Sequence, residues 1–97
     1  MAKYVYMYTG GGMPESEEEG KRVMAAWTAF LGGFGDNLVD MGSPFGASQA
    51  VNGNGALKAT GYSVITAASL ADAVEQAKAC PIFDRGGNVE VYETIEM

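Results

Sequence analysis

Histidine is absent from this sequence, and cysteine occurs once, at Cys80. The first absence removes the side chain that titrates near neutrality and the commonest metal ligand. Ser-His and Cys-His nucleophile pairs are excluded with it, as are zinc sites built from cysteine and histidine. A single thiol forms no internal disulfide. Positive charge is scarce: six Lys and Arg against twelve Asp and Glu leave a net charge of −6, and no basic cluster exceeds Lys21-Arg22. Such a surface suits neither nucleic acid nor an anionic membrane. No run approaches the roughly 20 apolar residues of a spanning helix. The opening MAKYVYMYTG is too short and too polar for a signal peptide. The expected location is the cytoplasm.

What is present fits one small domain over residues 1–97. Hydrophobic residues make up 47% of the chain, which excludes a disordered tail. KYVYMYT (Lys3–Thr9) reads as a strand, with Val5 and Met7 on one face and Tyr4, Tyr6 and Tyr8 on the other. Ser16 and Glu19 have capping-box spacing, and Val23, Trp27, Phe30 and Phe34 recur at helical intervals. A helix is therefore predicted over about 16–31, stopped by Gly32-Gly33. Asn37–Met41 reads as a short strand, and GYSVITA (Gly61–Ala67) as a strong one. Ser69 and Asp72 open a second helix with Leu70, Ala73, Val74 and Ala77 in one stripe, ending by Cys80 ahead of Pro81. Val89–Ile95 is the last strand. The order β-α-β-β-α-β predicts an α+β, ferredoxin-like fold with a four-stranded antiparallel sheet and both helices on one face.

Two glycine-rich runs invite comparison with phosphate loops. VNGNGALKATGY (Val51–Tyr62) leads into a strand, whereas a phosphate loop leads into a helix N-terminus. Its Asn-Gly pairs instead predict a small outer hairpin between the second and third strands. TGGGMPESEEEG does enter a helix, but Glu15, Glu17, Glu18 and Glu19 crowd the helix start and repel a phosphate. It reads as a solvated cap. Cys80, at a helix C-terminus, has no feature that lowers a thiol pKa. Arg85 reads as a surface arginine in a turn. Ser43 has no visible base and is not a nucleophile.

Asp40 lies in an apolar strand. Buried, it becomes a candidate general base; facing water from an edge strand, it is an ordinary carboxylate. The tyrosine-bearing faces suit a pocket for a small, partly aromatic molecule or a subunit interface. Candidate ligand contacts are Tyr6, Trp27, Met41, Ser43 and Tyr62, although Trp27 also fits the core. No metal or cofactor is implied. Two helices cover one face of the sheet, yet the strands are apolar or aromatic on both, with roughly 300 Å² of projected area per face. A symmetric homodimer, sheet against sheet, would cover the remainder and could hold a ligand between the sheets.

LVDMGSPF and TGYSVITAASLADAVEQAKACPIFDRGGNVEVYETIE resemble the YCII-related (DGPF) proteins over nearly the whole chain. AAWTAFLGGFGDNLVDMG is similar to that family's first helix and second strand. The resemblance implies ferredoxin-like subunits paired into a dimeric α/β barrel. The family's Asp-Gly-Pro-Phe stands here only as Asn52-Gly53, or as Gly42-Ser43-Pro44-Phe45, and its Val-Arg-Pro-Ile as Val91-Tyr92-Glu93-Thr94-Ile95. The histidine–aspartate pair suspected of catalysis in some members does not carry over. The expected function is a small-molecule-binding homodimer with no catalytic step assigned. A cofactor-free isomerase, lyase or dehalogenase-like enzyme on a small aromatic or enol substrate is the alternative, with Asp40 as base and Tyr6 or Tyr62 as donor. A structural or interaction module is the third reading.

Overall fold

A computed structural model describes residues 1–55 and 57–97. The chain forms β1 (Ala2–Thr9), α1 (Glu17–Gly32), β2 (Leu38–Asp40), β3 (Ala59–Ala67), α2 (Leu70–Ala77) and β4 (Asn88–Glu93), with 3-10 turns over Gly35–Asn37 and Pro81–Arg85. The strands make one sheet in the order β2-β3-β1-β4, and every pairing is antiparallel. This is the ferredoxin-like βαββαβ arrangement.

Alternation along the two central strands decides what each face carries. Tyr4, Tyr6 and Tyr8 are buried with Ser63, Ile65 and Ala67 beneath the helices. Val5 stands opposite Val64 and Tyr92, and Met7 opposite Tyr62, on the face the helices leave uncovered. Tyr62 and Tyr92 thus lie on the face opposite to the β1 tyrosines. On the helical side Phe34, Ala73, Ala77, Cys80 and Ile82 complete the core, with Trp27 and Phe30 of α1 packed against it. Ala73 and Ala77 are the buried members of the α2 stripe, while Leu70 and Val74 remain exposed. The small residues let α2 lie close enough to accept a hydrogen bond from Tyr6 Oη at the Ala73 carbonyl, 2.6 Å away.

Both helices start on serine caps. Ser16 Oγ accepts from the Glu19 amide at 3.1 Å, and Ser69 Oγ from the Asp72 amide at 3.1 Å. Glu19 completes its box one residue early, accepting from the Glu15 amide at 3.2 Å.

Among the described residues the outer hairpin expected around Asn52–Gly55 is not formed. Among the described residues no strand lies between Asp40 and Ala59, and Val51 and Leu57 are exposed. Ala56, within the expected second arm, lies outside the described residues. Arms this short, with the apolar Val51 and Leu57 finding no face to pack against, gain too little to pair. The segment just after β2 behaves differently. Pro44 bridges to Gly61, the Phe45 amide donates to the Thr60 carbonyl at 2.8 Å, and the Tyr62 amide donates to the Ser43 carbonyl at 3.3 Å. Residues 42–45 therefore run along the β3 edge as an irregular segment, tied to it by one isolated bridge and these two backbone bonds.

The fold is thin, 40 × 37 × 18 Å, with a radius of gyration of 14.1 Å against about 12.5 Å for a compact chain of this length. Its accessible surface is 6903 Å². A folded monomer of 10.1 kDa exposes about 5,300 Å². No helix among the described residues is long and apolar enough to cross a membrane.

Candidate functional site

A cavity of about 510 Å³ lies on the helical side, between α1 and the β2 end of the sheet. Tyr8 and Ser63 form its floor. Met24, Trp27 and Leu31 of α1 form one wall, and Met41–Phe45 the opposite one. The glycine segment Gly10–Gly12, with Ile82 and Arg85, closes the end. The lining is mainly apolar and aromatic, as in small-molecule sites generally. Alternation fixes the floor, since Tyr8 and Ser63 point toward the helices. Helical spacing fixes the α1 wall, because Met24, Trp27 and Leu31 lie on one side of the helix. Trp27 meets Tyr8 edge to face, with ring centroids 4.9 Å apart and planes at 77°.

Polar groups in the floor are arranged as a short relay. Tyr8 Oη donates to Ser63 Oγ at 2.9 Å, and Ser63 Oγ donates to the Met41 carbonyl at 2.7 Å. Burial raises the Tyr8 pKa above the ordinary phenol value, and the bond to Ser63 offsets only part of that. Tyr8 is therefore a neutral donor at physiological pH. Ser63 ties β1, β3 and the 41–45 wall together. The variant Tyr8→Phe is expected to cost about 1 kcal/mol, because Ser63 keeps its own bond to Met41. Ser63→Ala leaves a buried phenol and a carbonyl unpaired and is expected to cost about 2–3 kcal/mol. Urea denaturation checks the order; equal losses would show that the relay carries no shared role.

Four of the five candidate ligand contacts, Trp27, Met41, Ser43 and Tyr62, are among the residues lining this cavity, although Tyr62 belongs to the β3 positions that alternate away from the helices. Tyr6 is not among them. It is 0% exposed, bonded to the Ala73 carbonyl and packed against Phe30 and Phe34. Burial, with a smaller contribution from Cys80, pushes its hydroxyl up to about 12. The helix and the turn after it decide the difference: Trp27 stands over Tyr8, while Phe30 of α1 and Phe34 just beyond it seal Tyr6.

Asp40 is exposed at the sheet edge. Its Oδ1 accepts from the Gly42 amide at 2.9 Å, and its Oδ2 accepts from Tyr62 Oη at 3.0 Å. The hydrogen bond to Asp40, and then its charge, raise the Tyr62 pKa. The phenol is a neutral donor committed to a carboxylate, and Phe45 stacks on its ring at 5.8 Å and 20°. The distance a base–donor pair requires is present. The burial that would make Asp40 a stronger base is not.

Sequence reasoning missed Arg85. Its guanidinium donates from Nε to the Gly11 carbonyl at 2.8 Å and from Nη1 to Glu19 Oε1. The side chains of this ion pair are only 18% and 28% exposed. The bond to Arg85 is the main reason the Glu19 carboxyl is held below its usual pKa range. Glu19 is thus a structural partner, while Glu15, Glu17 and Glu18 are exposed as the solvated-cap reading expects. Cys80 is 3% exposed, and burial pushes its thiol up to about 11, which makes it an inert core residue. Among the described residues no three His, Cys, Asp or Glu side chains gather as metal ligands would.

The chain matches no protein-family model, no curated protein and no solved structure. The resemblance to the YCII-related proteins therefore rests on the sequence signals alone.

Proposed function

We propose that the chain is a small-molecule-binding domain of YCII-like type, working as a cytosolic homodimer and taking a partly aromatic ligand beneath α1. The observation that carries the binding reading is the cavity itself. It combines drug-like size, an aromatic lining of Tyr8, Trp27 and Phe45, and few polar groups. A filled interior would have favoured a structural module instead. The sheet–sheet space of a dimer, where a ligand was first expected, is a separate place, since this cavity opens on the helical side of one chain.

The enzymatic alternative has one observation in its favour, the 3.0 Å contact between Tyr62 Oη and Asp40 Oδ2. The exposure of Asp40 makes binding the better supported reading.

Trp27 is the only tryptophan of the chain and stands in the cavity wall. Its fluorescence therefore reports on this site alone. Titration with the neutral probe N-phenyl-1-naphthylamine is expected to give saturable energy transfer from Trp27, one probe per chain. Met41→Arg places a long charged side chain in the apolar wall from an exposed position. It is expected to weaken that binding at least about tenfold without changing the far-ultraviolet circular dichroism, an estimate set by the cost of burying a charge. Non-saturable transfer, or equal binding in the variant, would refute the site.

A further inference from the structure

We infer that Arg85 selects a carboxylate, so that the ligand class is a monoanion with an aromatic body; this rests on the binding reading above. Among the described residues lining the cavity, Arg85 is the only charged one. A guanidinium in an apolar wall is held there at a cost unless its donors are used. It carries five N–H groups. The structure assigns Nε to the Gly11 carbonyl and Nη1 to Glu19. Among the described residues Nη2 has no protein partner.

The local backbone keeps that nitrogen accessible. Gly10, Gly11 and Gly12 all have left-handed φ, at 71°, 93° and 61°. A β-carbon on Gly12 would sit 3.9 Å from Arg85 Nη2, and one on Gly11 would sit 3.1 Å from Ile82 Cγ1. A side chain at residue 12 would start in contact with Nη2, and one at residue 11 would press on Ile82 in the cavity lining. Glycine at these positions leaves an arginine that is braced on two atoms and open at the third.

Charge sets the class of anion. Glu19 already neutralises much of Arg85, and the whole chain is at −6. A phosphate dianion would meet Glu19 with a second charge to no benefit. One carboxylate can accept a charge-assisted bond from Nη2 while its aromatic body packs in the apolar cavity against Trp27.

The test is a matched pair, 2-naphthoate and 2-naphthamide, titrated by calorimetry into the native chain. The carboxylate is expected to bind about tenfold more tightly, the worth of one added charged hydrogen bond. In Arg85→Gln the two are expected to bind alike. Because Arg85 also braces the Gly10–Gly12 segment, Glu19→Gln supplies an independent arm. It keeps the arginine and removes the competing carboxylate, so the preference for naphthoate should grow severalfold; a merely structural ion pair would leave it unchanged or reduce it. Equal affinities in the native chain, or an unchanged preference in Arg85→Gln, overturn the carboxylate assignment and leave the cavity reading standing. Binding of neither compound overturns both.

Discussion

Gly42→Ala is expected to lose about 4 kcal/mol or more, enough to unfold much of the population of a domain whose total stability is about 5–15 kcal/mol. A β-carbon at residue 42 would lie 1.6 Å from the Tyr62 carbonyl oxygen and 2.6 Å from its carbon. The overlap is with backbone, so no side-chain rotation relieves it. The residue also has φ 77°, which costs an alanine about 1 kcal/mol even where space is free. Relief requires residues 42–45 to lift from β3. That breaks the Tyr62–Ser43 and Phe45–Thr60 backbone bonds, withdraws the Met41 carbonyl from Ser63 and separates the Phe45 and Tyr62 rings. Three hydrogen bonds at about 1 kcal/mol each account for most of the expected loss. Gly86→Ala is the control: its φ is 76°, yet a β-carbon there meets nothing within 4 Å. Urea denaturation should give about 1 kcal/mol for the control. A loss at Gly42 no larger than that would show that the segment does not lie on β3, and the wall of the cavity would go with it.

The contrast between Gly42 and the Asn52–Gly55 run shows which features were legible in the sequence. Alternation in KYVYMYT and GYSVITA set the two sheet faces, and the serine caps set both helix starts, because each depends on residues a few positions apart. The hairpin prediction used equally local signals and failed, since a turn also needs two arms with a surface to pair on. Gly42 in its turn context gave no sign of how closely β3 would pass. The same limit governs the site. Tyr6 and Tyr8 are equivalent by period, and only the placement of Trp27 over one and Phe30 over the other separates core from cavity. Arg85 reads as surface until Glu19, 66 residues away in sequence, comes to its side. Asp40 was legible as an edge carboxylate facing water, which is where it lies.

Val64→Lys is expected to turn a particle of twice the chain mass into one of single mass at micromolar concentration in analytical ultracentrifugation. Val64 stands on β3 opposite Val5, at the middle of the face that no helix covers. The surface excess over a compact monomer is roughly 1,600 Å². Exposed residues of the connection after Phe45, such as Val51 and Leu57, contribute part of it, and a standard interface needs only about 800 Å² per partner. Within one chain a lysine on the open face can extend to water, so the fold should survive. In a symmetric pair the substitution appears twice, burying two like charges without partners at several kcal/mol each. The dissociation constant should therefore rise at least about a thousandfold. A native chain that sediments at single mass at about 100 μM, where any association tighter than about −5.5 kcal/mol would show, would refute the dimer. Because the cavity has Tyr8 and Ser63 as its floor and Val64 is not among its lining residues, Val64→Lys should still bind N-phenyl-1-naphthylamine as a monomer. If binding disappeared along with the partner, the second copy would have to supply part of the site, and the ligand would belong between the sheets after all.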